Sequence, residues 1–69
     1  MPQTPVEELS YEAARDELTA IVAELEAGAQ SLAAAMELWE RGEALAQHCE
    51  KYLDAARERL QAAEDRAEQ

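Results

Sequence analysis

The chain has 69 residues, a formal net charge of −10 at pH 7 and one cysteine. That length admits one small domain, below the size at which a single core usually supplies comfortable stability unaided. The lone cysteine excludes an internal disulfide, and so acidic a surface repels phosphate backbones, which argues against direct DNA or RNA binding.

Residues 1–9 contain Pro2 and Pro5 and read as a flexible lead-in. Thr4, Pro5 and Glu7 also suit a short capped turn, with proline at the first helical position and glutamate three after the threonine. Ser10 is a good N-cap for a helix over about residues 11–27, and Glu12 sits near the positive end of its dipole. Tyr11, Ala14, Leu18, Ile21 and Leu25 recur at spacings of three and four, Val22 widens the stripe, and Glu12, Asp16, Glu17, Glu24 and Glu26 lie off or beside it. With Leu32, these apolar residues are the expected hairpin core. Gly28 is the expected stop, because glycine takes the left-handed conformation without penalty.

Ala29 and Gln30 leave a short connection, and Ser31 is again an N-cap. A link this short makes the two helices antiparallel neighbours. Nothing obvious stops the second helix before about residue 66, and residues 67–69 read as a frayed tail. The expected fold is all-α: residues 10–66 form one antiparallel helical hairpin, with a short helix 1 and a long helix 2, which associates into a coiled coil or four-helix bundle.

Along helix 2, Leu32, Ala35, Trp39, Gly42, Ala46, Cys49, Leu53, Ala56, Leu60 and Ala63 alternate at three and four, a coiled-coil period without a slip. A seam of that kind needs another helix to cover it. Helix 2 outruns helix 1 by about 25 Å, so Leu53, Ala56, Leu60 and Ala63 have no partner in their own chain. With Leu32 as position a, the g positions are Leu38, Leu45, Tyr52, Arg59 and Arg66, and Met36 lies at e. The apolar face is therefore wide for three heptads, enough to touch two helices at once, and narrow afterwards, where Arg57, Glu64 and the g-position arginines flank the seam. Gly42 on the seam is either a site of close approach by a neighbour or a tolerated weak point. Of the 33 hydrophobic residues 16 are alanine, which favours helix strongly and buries little area, so these helices depend on association. Met36, Leu38, Trp39, Leu45, Cys49, Tyr52, Leu53, Ala56 and Leu60 are the expected partner interface, with Trp39, Met36 and Tyr52 its bulky cluster.

Charge is unevenly spread. Residues 1–50 carry eleven carboxylates against Arg15 and Arg41, whereas residues 51–69 carry five against Lys51, Arg57, Arg59 and Arg66. A basic partner, or solubility, is the inference for the acidic part.

The sequence offers little for chemistry. His48 and Cys49 are adjacent and point in different directions on a helix, with no second Cys or His, so no metal site is expected; Cys49 reads as a small core residue and His48 as solvent-facing or rim. Glu12 with Asp16, Glu40 with Glu43, and Asp54 with Glu58 share helical faces, as carboxylates do on any acidic helix, and a ferritin-like Glu-x-x-His pattern is broken by Leu45. There is no nucleophile with a base beside it, no P-loop and no dinucleotide fingerprint. No catalytic residue and no cofactor is expected.

The run Ser10-Tyr11-Glu12-Ala13-Ala14, then Leu18, Ile21-Val22, Leu25-Glu26, Gly28, Ser31-Leu32, Leu38, Glu40, Gly42, Leu45, Cys49, Leu53-Asp54, Ala56 and Arg59 resembles the small subunit of bacterial exodeoxyribonuclease VII. The resemblance covers about residues 10–60. The chain departs from that family at Ala33 and Ala34, where acidic residues are usual, at Trp39, where tyrosine or phenylalanine is usual, and at Arg57, where glutamate is usual. The resemblance implies a non-catalytic subunit of a hydrolase complex. In that family the large subunit holds the nuclease site and cuts single-stranded DNA from its ends into oligonucleotides, while several small subunits pack as helical hairpins along a long helical region of the large one.

No run resembles a signal peptide or approaches the roughly 20 apolar residues of a membrane span. The expected setting is the cytoplasm, with the exodeoxyribonuclease VII large subunit as partner, a homodimer in isolation, and neither membrane nor direct nucleic-acid contact. The competing reading is a homo-oligomeric coiled-coil adaptor unrelated to nucleases.

Overall fold

The computed structural model describes residues 4–68, a 3-10 turn at Val6–Glu8 followed by two α-helices, α1 (Tyr11–Ala27) and α2 (Leu32–Ala67). Among these residues there is no strand. Both helix starts are built by serine. The Ser10 hydroxyl oxygen accepts from the Ala13 N–H at 3.1 Å and that of Ser31 from the Ala34 N–H at 3.2 Å, each satisfying an amide that the helix itself leaves without an acceptor. Gly28 ends α1 with φ 66° and ψ 22°, and its N–H donates to the Glu24 carbonyl at 3.3 Å. Residues 28–31 then reverse the chain, and α1 lies antiparallel on the first half of α2.

The core is small. Ala14 and Ile21 of α1 meet Leu45 and Cys49 of α2, and Tyr11, Leu18, Leu25 and Leu38 pack around them. Leu45 is the one large side chain among the described residues that is fully buried. Gly42 is buried beside it, and a Cβ placed there would meet Ile21 Cγ2 at 3.4 Å and Leu18 Cδ1 at 3.7 Å, ordinary contact distances. The hairpin itself therefore does not need glycine at this position.

The described residues of the lead-in form a turn, the alternative to a flexible segment that Thr4, Pro5 and Glu7 offered, although Pro5 stands at its N-cap and no side chain caps it. Residues 1–3 lie outside the described residues, as does residue 69 of the frayed tail, while Ala67 belongs to α2. Residues 5–9 are ordered by two turn hydrogen bonds of 3.0 Å, from the Glu8 N–H to the Pro5 carbonyl and from the Leu9 N–H to the Val6 carbonyl. The turn brings Val6 and Leu9 onto the core, which is the physical reason it folds back. Two side chains of α2 hold it there. Arg41 donates to the Thr4 carbonyl at 2.8 Å while its fork grips Glu17 of α1, and His48 Nε2 donates to the Leu9 carbonyl at 2.7 Å. His48 is thus half-buried and bonded, the rim placement of the two expected for it.

Candidate partner-binding surface

The hairpin takes only part of the seam on α2. Positions g and d over the first half, Leu38, Gly42, Leu45 and Cys49, turn towards α1. The a positions, Leu32, Trp39, Ala46, Leu53 and Leu60, turn aside, and with Met36 they form a stripe that runs the length of α2. Leu32 is 78% exposed, Trp39 61% and Leu60 62%. On a helix with 3.6 residues per turn, residues seven apart fall nearly above one another, which keeps the stripe continuous.

This division corrects the sequence-based assignment in three places. Leu45 and Cys49, expected at the partner interface, are inside the hairpin core because they face α1 directly. Leu32, expected in the core, is exposed because α1 ends at Ala27 and the connection turns away before covering it. Val22 is likewise partly exposed, standing on the flank of α1 beside α2. Tyr11, Ala14, Leu18, Ile21 and Leu25 lie in or against the core. Of the other interface residues, Leu38 packs against the core, Ala56 is exposed, and Met36, Trp39, Leu53 and Leu60 are the large apolar groups left open. Tyr52 is partly exposed and closes the end of the hairpin, its ring edge-on to His48 at 5.2 Å and to Tyr11 at 6.0 Å.

Where the stripe passes α1 it borders an apolar groove of about 210 Å³, with Leu18, Val22 and Leu25 on one wall and Trp39, Gly42 and Ala46 on the other. Glu43 stands on its edge. A shallower groove continues from Leu25 and Trp39 past Met36 to Glu40. Neither is lined by a lysine or arginine. Beyond Cys49 every described residue of α2 is exposed, so the last part of the helix stands free.

The opposite flank of the hairpin is polar. Arg41 makes a two-pronged bond to Glu17, with the second prong, Nη2 to Oε1, at 2.9 Å. Hydrogen bonding and the positive charge of Arg41 hold the Glu17 carboxyl below its usual pKa, against an opposing effect of burial, and the same pair raises Arg41. Sequence reasoning missed this pair and the His48 bond. Arg41 being one of only two cations in the first fifty residues was the available signal.

Among the described residues no three His, Cys, Asp or Glu side chains gather as a metal site would require. No helix among them is long and apolar enough to cross a membrane. What the arrangement offers is apolar area without a cover, the property of a docking surface.

The family model described as exonuclease VII small subunit matches residues 11–68. The chain is 54% identical over 66 residues to the exodeoxyribonuclease 7 small subunit of Arthrobacter sp. (strain FB24), a span covering 96% of this chain and 87% of that one. It is 55% identical over 67 residues to the protein of the same name from Cutibacterium acnes, covering 97% and 83%. With that of Mycobacterium leprae it shares 53% over 57 residues, covering 83% and 73%. No solved structure matches the chain.

Proposed function

The chain belongs to the exonuclease VII small-subunit family, and from that premise we propose that it is a non-catalytic assembly subunit, docking on the large subunit that degrades single-stranded DNA and stabilising it. The observation that carries this reading is the stripe of Trp39, Leu53 and Leu60, exposed along a helix that its own hairpin covers over only half its length. Burying such groups against another helix is worth about 1.5–3 kcal/mol for each large side chain. The chain's own core, with one large side chain fully enclosed, is too small to be the reason for so long a helix. The role is to cover and stiffen apolar helices of the catalytic chain, with Glu40 and Glu43 favouring basic residues beside the contact.

No residue of this chain is assigned to catalysis, and the acidic surface is assigned to solubility and partner choice rather than to DNA. The cytoplasm is the setting. When the large subunit is absent the same stripe is taken by a second copy of the chain. The test is co-expression with a tagged large subunit from the same organism. A stable complex that cuts single-stranded DNA, with no cutting by the small subunit alone, is the expected result, and failure to co-purify would refute the reading.

A further inference from the structure

The groove and the free end of α2 are two uncovered surfaces of one chain, and they fit each other. On α2 the groove is walled by residues 35–46, 12 residues or about 18 Å, and residues 53–67, the part of α2 that α1 does not reach, number 15 or about 22 Å, enough to span it. The free segment carries Leu53 and Leu60 on one side with Arg57 beside them, and the groove is edged by Glu43 and Glu40 without a cation. We propose that two copies pair antiparallel along α2, each laying its free segment in the other's groove. Ala46 is then level with the partner's Leu53, Trp39 with the partner's Leu60, and Glu43 stands beside the partner's Arg57. The two-fold axis passes near residues 49 and 50, so every contact occurs twice and the assembly closes as a dimer.

The charges on the e positions, Glu43, Glu50, Arg57 and Glu64, select this register. It brings Glu43 against the partner's Arg57 on both sides of the axis and leaves one like-charge contact, Glu50 facing its own copy. Sliding one copy by a heptad in one direction sets Glu43 against the partner's Glu50 twice, with no ion pair in return. Sliding it the other way pairs Glu50 with the partner's Arg57 twice but also sets Glu43 against the partner's Glu64 twice, one repulsion more than in the middle register. Like charges held face to face oppose association, so the middle register wins. Size agrees with charge. An apolar cavity of roughly 150 Å³ holds a group the size of benzene, so the groove of about 210 Å³ takes a leucine side chain. Parallel pairing would lay free end on free end and leave both grooves empty. The dimer does not rest on the large-subunit reading; only its role as the form displaced by that subunit does.

The experiment is sedimentation equilibrium of the purified full chain by itself, followed by charge exchange. The wild type is expected to be a dimer at tens of micromolar. Glu43→Arg and Arg57→Glu should each raise the dimer dissociation constant about tenfold at low salt, since each reversal is felt at two symmetric contacts. Combining them should restore the wild-type value. Both side chains are exposed, and helix content by circular dichroism checks that the hairpin persists. Glu50→Gln should tighten the dimer, an effect that poor folding cannot imitate. Trp39 emission should shift to shorter wavelength as the wild type dimerises, because the partner's Leu60 covers the ring. A monomer throughout the concentration range, a doubly exchanged variant no tighter than the single ones, or no gain from Glu50→Gln would overturn the proposal.

Discussion

Leu45 and Leu32 are the same residue type, each a plausible core leucine when only spacing is considered, and the fold treats them oppositely. Leu45 is wholly enclosed, so Leu45→Ala removes a buried side chain and should cost about 2–5 kcal/mol, whereas Leu32→Ala should change the stability of the hairpin by less than about 0.5 kcal/mol. Thermal unfolding of the two variants at equal concentration, measured below the dimer range, separates them. Gly42 makes a related point. The hairpin has room for a methyl group there, and alanine is the better helix former by about 1 kcal/mol, so Gly42→Ala should leave the melting temperature unchanged or raise it.

Glu17 sets the acid limit of the hairpin. Its carboxyl is held below the ordinary value by Arg41, so the folded state binds this proton less readily than the unfolded chain does. The stability it contributes is present above its unfolded pKa, about 4.3, and is lost as pH falls through the lower, folded value. Glu17→Gln should therefore destabilise the hairpin at pH 7 and flatten the loss of stability below about pH 4, as read from urea titrations across that range. Arg41 is the sensible companion variant, since it also holds the Thr4 carbonyl and so ties the lead-in to α2.

At the level of elements, the two helices and their turn were legible in the sequence because their signals are local. Ser10, Gly28 and Ser31 each act on amides or dihedrals within a few residues, and no distant contact is needed for them to work. The three-and-four spacing on α2 was equally legible as a period. Its assignment to neighbours was not. A 3.5-residue repeat says that a seam exists, but a hairpin partner and a foreign helix make the same demand on it. The structure divides the seam between positions: d and g turn to α1 and a turns outward, which is why Leu45 and Cys49 moved into the core and Leu32 moved out of it. The lead-in was half legible: Thr4, Pro5 and Glu7 suited a turn, but its docking on α2 left no signal. It is fixed by Arg41 and His48 bonding to main-chain carbonyls of Thr4 and Leu9, and carbonyls leave no trace in a side-chain pattern.

At the scale of the molecule, the described residues measure 57 × 23 × 15 Å, a rod set by one helix rather than a globule set by a core. Its length exceeds what internal packing requires, and the excess is apolar along one line. That is the economy of a part made to be assembled: local capping defines the helices, a minimal core fixes their hairpin, and the remaining apolar area waits for another surface. Charge then limits which surface is acceptable, because a chain at −10 repels a second acidic surface unless cations such as Arg57 meet its carboxylates. The candidate surface was partly legible before the fold was known, through Met36, Trp39, Leu53 and Leu60. Its groove was not, since it exists only once Leu18 and Val22 are set beside Trp39.

In the proposed assembly the outward stripe of α2 is what holds the large subunit. Leu53 and Leu60 lie outside the hairpin core, so replacing both by aspartate leaves the folded half of the molecule intact while placing two charges where an apolar contact is required. Co-purification of this double variant with a tagged large subunit is the most direct measurement. The account predicts that the complex is lost while α1 and its core stay folded, as seen in the chemical shifts of Ala14 and Ile21; recovery of the complex at the wild-type yield would contradict it.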